Sequence, residues 1–198
     1  MQSSIDPQSL RNPTRLRLLD AAVTVIARDG LQRLSHRRVE DEAGLKHGAT
    51  TYHFRTRNAL IEQVIAHLAD RDRRVMAQVL GGASHPAAPD ELARVLEPFL
   101  TTAYDQTMAR FELFLHAARE PRLQGPLVHW RALFAESAEA LLRHLGAPDP
   151  AGNAEMLVTG IDGMLFAGLC LPDKLPPQEL RRQCEALLDR CMAAPAAS

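Results

Sequence analysis

One pattern constrains this chain above all others. Its apolar residues recur at three- and four-residue steps, and no stretch alternates apolar and polar at every second position. The first period belongs to a helix buried along one face and the second to a strand, so the sequence predicts an all-α fold. Asn12 followed by Pro13 reads as an N-cap with proline in the first turn. Leu16, Leu19, Ala22, Val23, Ile26 and Ala27 then form the inner face of a first helix that stops at Asp29 and Gly30. Ser35 caps a second helix through Ala43, with Val39 and Ala43 turned inward and Gly44 ending it. A very short third helix is expected from about Lys46 to His53. Thr56 then caps a long fourth, residues 57 to 80, with Ile61, Val64, Ile65, Leu68, Val75, Met76 and Val79 on its apolar face. The cluster Asp70-Arg71-Asp72-Arg73-Arg74 within it reads as solvated surface. Residues 81 to 89 are rich in Gly, Ala and Pro and mark a loop. Beyond it the period predicts helices over residues 91–102, 105–118, 127–145, 155–171 and 178–192.

With 46% apolar and 24% charged residues among 198, the chain can build a sizeable core. Its longest stretch without a formal charge, residues 75 to 89, is broken by Gly81, Gly82, Pro86 and Pro89. It is also shorter than the ~18–20 apolar residues of a membrane span. Residues 1 to 12 carry polar groups where an export signal has its apolar segment, so a cytoplasmic location with no membrane partner is expected. Cys170, Cys184 and Cys191 are too few and too late for a disulfide framework. Cys184 and Cys191 fall in phase with Leu180, Leu187 and Leu188, as small core residues do. Charge is distributed unevenly: residues 1 to 57 hold ten Lys/Arg against six Asp/Glu, and the remaining 141 hold thirteen against eighteen. The chain therefore divides into a small basic module, 1–57, suited to a polyanion, and a larger acidic body, 58–198.

Two short helices joined by a glycine turn, the second about eight residues long, describe a helix-turn-helix sized for a DNA major groove. The residues around that turn are specific: fourteen positions from Gly30 to Gly44, the Ala43-Gly44-Leu45 turn, Gly48, the Tyr52-His53-Phe54 ending, and Thr56-Arg57-Asn58-Ala59-Leu60 at the start of the fourth helix. In these features the segment from about residue 13 to 65 resembles the N-terminal domain of the tetracycline-repressor (TetR) family. The helical remainder fits that family's variable C-terminal domain. The family usually places Ser or Thr where Lys46 stands, Leu where Thr50 stands and Tyr where Thr51 stands. Lys46 removes a helix cap and adds a cation, and Thr50 weakens an apolar anchor. The resemblance implies a ligand-responsive transcriptional regulator, a repressor, that binds a palindromic double-stranded DNA operator as a homodimer and is released by a small-molecule effector.

Roles follow for individual residues. Ser35, His36 and Arg37 open the second helix, where free backbone N–H groups favour a phosphate; Arg37 also has the length to reach a guanine edge, and by resemblance it is a base reader. His47, Ala49, Thr51 and Tyr52 are expected on the outer face of the recognition helix, with Lys46, His53 and Arg57 on phosphates. Thr50 and Phe54 are assigned to the core by the resemblance. His36, His47 and His53 are expected to gain charge below about pH 6.5 and to strengthen nonspecific binding.

The last two helices resemble the family's dimer-forming pair. Gly160, Gly163, Ala167 and Gly168 permit close approach, with Met164, Leu165 and Leu169 expected to fill an apolar interface. Phe99, Tyr104, Phe111, Phe114, Trp130 and Phe134, facing inward, would enclose an apolar effector pocket. Glu112, His116 and His129 would orient the ligand, and the Tyr104 hydroxyl would donate to it. The sequence holds no G-x-S-x-G, no H-E-x-x-H, no phosphate-cradling glycine loop and no recognisable Cys-His pairing, so neither an enzyme, a cofactor nor a metal site is expected. The alternative reading is a helical small-molecule-binding or dimerisation protein without specific DNA binding.

Overall fold

The computed structural model describes residues 12–81, 89–171, 173 and 175–193. The loop expected at 81–89 lies, apart from its two ends, outside the described residues. The helices are α1 (Pro13–Asp29), α2 (His36–Ala43), α3 (Ala49–His53), α4 (Arg57–Gly81), α5 (Pro89–Leu100), α6 (Tyr104–Ala117), α7 (Pro121–His144), α8 (Pro150–Cys170) and α9 (Pro177–Met192), with a 3-10 turn, Leu31–Arg33, between α1 and α2. No strand forms among the described residues.

Several ends are set by the expected local chemistry. The Asn12 side chain accepts the N–H groups of Thr14 and Arg15, and the Thr56 hydroxyl accepts that of Ala59. Other ends differ from expectation. α3 begins at Ala49, later than predicted, because Gly48 sits at φ +95 and turns the backbone out of the helix before it. α7 begins at Pro121 rather than near residue 127: Leu123, one turn earlier on the same face, is fully buried and extends the stripe.

Two hydrophobic clusters hold the helices together. The first joins α1, the 3-10 turn, Val39 and Phe54 to the first half of α4, to Leu113 on α6, and to Leu123, Leu127 and Trp130 on α7. It crosses position 57, so the basic module shares its core with the body behind it, and α6 packs along α1. The second cluster lies among α5, the end of α7, α8 and α9.

Two expectations about buried groups need correction. Arg73 and Arg74 are exposed and pair with Asp70, but Asp72 is only 6% exposed. It follows Leu68 by one turn on the inner face of α4, where its Oδ2 accepts the Trp130 indole N–H at 2.9 Å. Met164, Leu165 and Leu169 are buried in the chain's own core and present nothing outward. Two of the small residues near them also serve that core. A Cβ at Gly160 would lie 2.6 Å from Leu187 on α9, and one at Gly168 would lie 2.7 Å from Leu100 on α5, whereas Gly163 faces open space. Cys184 and Cys191 are buried as expected, and burial pushes the Cys184 thiol up to about 11.

Candidate functional site

The helix-turn-helix is built by caps. The Ser35 hydroxyl accepts the Arg38 N–H at 3.3 Å, and Gly44, left-handed at φ +61, ends α2. α3 receives its cap from the helix before it. Glu40, 3% exposed, accepts the N–H groups of Gly48 at 3.0 Å and Thr50 at 2.8 Å, while the His47 ring Nδ1 sits 3.3 Å from its other oxygen. Burial alone would push the Glu40 carboxyl up. The Thr50 amide, the His47 ring and the Gly48 amide outweigh it and hold the group below the usual carboxylate range. Sequence reasoning missed Glu40; the one signal was that Lys46 leaves the recognition helix without a capping side chain.

On this frame the expected DNA-facing residues take different positions. Arg37 and Lys46 are exposed and enter no ion pair or side-chain hydrogen bond among the described residues. Tyr52 is 84% exposed, edge-on to His53 with ring centroids 5.0 Å apart. Thr51 is exposed, its hydroxyl 3.1 Å from Nδ1 of the partly buried His36. Ser35 and His47 are exposed and Ala49 is half-buried. Thr50 and Phe54 are in the core, with the Arg15 guanidinium 5.3 Å from the Phe54 ring centre. Arg57 is turned toward the protein: its Nε donates to the Leu34 carbonyl at 2.9 Å and its Nη2 to the Leu31 carbonyl at 2.5 Å, tying α4 to the 3-10 turn. His53 departs from expectation. Burial, then the Arg15 charge, pushes its ring below the usual histidine value.

A separate feature lies among α5, α7 and α8: an apolar cavity of about 90 Å³ whose wall includes Leu96, Phe99, Phe134, Leu141, Leu157 and Leu165, with Met76 of α4 and Arg110 of α6. Of the aromatics expected at a pocket, Phe99 and Phe134 line it. Phe111 stands beside it, 5.5 Å from the Arg110 guanidinium and edge-on to Phe166 at 5.6 Å. The rest lie elsewhere. Phe114 and Trp130 are 5.5 Å apart in the first core, and Tyr104 is 41% exposed in a polar surface cleft with Asp20 and Arg71. His116 is half-buried and His129 exposed, and neither lines the cavity. Glu112 has a different partner: it accepts the Leu31 N–H at 3.3 Å, fastening α6 to the 3-10 turn.

Arg110, 4% exposed, is a charged cavity residue that sequence reasoning passed over. Its position three before Leu113 and seven before Ala117, both buried, places it on the inner face of α6. Phe99, Phe111 and Phe134 surround its guanidinium at 5.3–5.5 Å, and its Nη1 lies 3.6 Å from Asp72 Oδ2. Burial pushes the Asp72 carboxyl up, against the opposing pull of Arg110 and Trp130. Among the described residues no group of three or more His, Cys, Asp or Glu could hold a metal ion, and no helix is long and apolar enough to cross a membrane.

Comparison with known proteins agrees with this architecture. Residues 18–64 match the family model for bacterial regulatory proteins of the tetR family, and residues 83–194 match that for the tetracyclin repressor-like C-terminal domain. No protein of curated function matches the sequence. Among solved structures, a transcriptional regulator from Rhodococcus sp. Rha1 shares the fold at TM-score 0.75 and 21% identity, over 93% of this chain and 100% of that one. A TetR-family member from Streptomyces coelicolor A3 is 30% identical over 89% of this chain and 98% of its own, at TM-score 0.68. The multidrug binding protein EbrR, in complex with ethidium, is 32% identical over 89% of this chain and 99% of its own, at TM-score 0.65. With a capped helix-turn-helix in front, a helical body behind, and family models matching both, the chain belongs to the TetR family of bacterial transcriptional regulators.

Proposed function

We propose that the protein is a ligand-responsive repressor. Two copies joined through α8 and α9 read a palindromic operator with residues 1–57, and a small-molecule effector held within residues 58–198 releases them. One observation carries the reading: two helices touch both the reading module and the cavity. α4 starts at Arg57, bonded to the 3-10 turn, and reaches the cavity at Met76. α6 holds that turn through Glu112 and the cavity wall through Arg110, two residues away. A ligand that displaces either helix therefore acts on the module that carries Arg37 and Lys46.

The rest of the reading follows from size and energy. A recognition helix as short as α3 reaches few base pairs, so specificity calls for a second copy about 34 Å away along the duplex. The outer face of α8, with Met156, Gly163 and Phe166 exposed at helical spacing, supports joining there. EbrR holds ethidium, which favours a small molecule as effector here too. The helices around the cavity, α4 to α9, are the ones a bound effector would touch. The effector then binds one packing better than the other, which is the requirement for a shift in DNA affinity.

The test is retention of a random duplex library by the purified protein, sequenced across a salt series. Enrichment of a two-fold symmetric site, with affinity falling steeply as salt rises, is the expected result. Weak binding without enrichment, together with thermal stabilisation by small molecules, would favour the helical ligand-binding protein that does not read DNA.

A further inference from the structure

Among the described residues the cavity wall holds three polar ones, and two of them are already occupied. The Ser137 hydroxyl donates to the Leu133 carbonyl at 2.8 Å, and Asp162 accepts Arg131 Nη1 at 2.5 Å. Arg110 is different: its Nη2 is buried with no hydrogen-bond partner among the described residues. The carboxylate that faces it, Asp72, stands at 3.6 Å and is engaged by Trp130. That pair engages Nη1 and leaves Nη2 without an acceptor. Three aromatic faces offset part of the cost of removing the cation from water but offer no acceptor for an N–H. Arg15 Nη1 and His36 Nε2 are the other buried, unpartnered atoms among the described side chains, and neither residue borders the cavity.

From this geometry we infer that the cavity recognises an apolar carboxylate, with its oxygens on Arg110 Nη2 and its hydrocarbon body against Leu96, Phe134, Leu141 and Leu157. A planar guanidinium suits a carboxylate fork, and the surrounding apolar wall selects against polar molecules of the same charge. Binding would draw Arg110 away from Asp72 and loosen the link between α6 and α4. The inference names the effector class for the regulator reading above and rests on it only for the consequence in DNA binding.

The probes are octanoate, 1-octanol and octylamine, matched in chain and differing in head group. Each is titrated calorimetrically into the full-length protein at pH 7.5, and DNA retention is measured in parallel. Octanoate is expected to bind at least tenfold more tightly than octanol, with octylamine weakest. Arg110→Met should remove the octanoate preference while octanol still binds, and octanol binding also reports that the variant is folded. Arg110→Lys should recover only part of the preference. Equal affinity for the three head groups, no octanoate binding, or an Arg110→Met variant that keeps the preference would each overturn the assignment. Octanoate bound through Arg110 with no effect on DNA retention would support the site and count against the regulator reading instead.

Discussion

Around α2 and α3 a buried carboxylate is spent on backbone: Glu40 accepts the two amides that open the recognition helix, and Arg57 closes the neighbouring turn through two carbonyls. Around the cavity, by contrast, Arg110 is buried against aromatic faces with one nitrogen unpartnered and a void beside it. On the proposed reading, the difference separates an element held in one arrangement from one that responds to a ligand. Local backbone hydrogen bonds specify a single arrangement, as a DNA-reading surface requires, because base contacts tolerate little displacement. An under-satisfied cation at a small void leaves free energy to be gained on binding, which is the property that couples a ligand to a conformational equilibrium.

The contrast can be tested where the two regions meet. Trp130→Ala removes the largest fully buried side chain and leaves Asp72 without its donor, so it should destabilise the protein by about 3–5 kcal/mol, as read by chemical denaturation. Retained stability would show that the first core does not depend on α7. Glu40→Ala should cost less, about 1–3 kcal/mol for the buried Thr50 amide it orphans. It should also abolish DNA retention while leaving calorimetric binding of cavity ligands intact; parallel loss of both would mean that the two regions do not behave separately.

Smaller effects separate the roles within the reading surface. Arg37→Ala should lose ~1–3 kcal/mol at one operator position and relax preference there, whereas Lys46→Ala should weaken all sequences alike and lower the salt slope by about 1. Equal loss on selected and random duplexes would remove the base-reading role of Arg37. The smallest expected effect is on acid stability, and it differs in sign between the regions. Glu40 is held low in the folded state, so its stabilisation is present above the unfolded carboxyl range and is lost as pH falls through the folded value. Asp72 is pushed up, so its contribution is present in acid and lost as pH rises through its folded value. In denaturation midpoints between pH 6 and 3, Glu40→Gln should therefore flatten the acid loss and Asp72→Asn should steepen it.

Features that depend on neighbours within one turn are legible in the residues themselves: the Asn12, Ser35 and Thr56 caps, the glycine ends at Gly30 and Gly44, and the inward phase of Leu19, Ile26, Ile61 and Leu68. The helix-turn-helix is legible for the same reason, since its geometry is local and its residues sit in a short, recognisable order. The cavity is less so. Aromatic content points to the right half of the chain, but only Phe99 and Phe134 of the expected residues reach the void, while Phe114 and Trp130 fill a core shared with α1. Periodicity assigns a residue to an inner face without saying which neighbour that face meets.

Helix type, helix order and the identity of the reading segment are therefore properties of the amino-acid order alone. They follow from hydrogen bonds and side-chain spacing within a few residues, where the chain has few alternatives. The long-range pairs belong to the packed molecule. The Asp72–Trp130 and Asp72–Arg110 contacts join residues on α4, α6 and α7, and Glu112 meets Leu31 across 81 positions. Such pairs depend on how whole helices stack, because a buried charge is placed by the sum of apolar contacts around it and not by its neighbours in the chain.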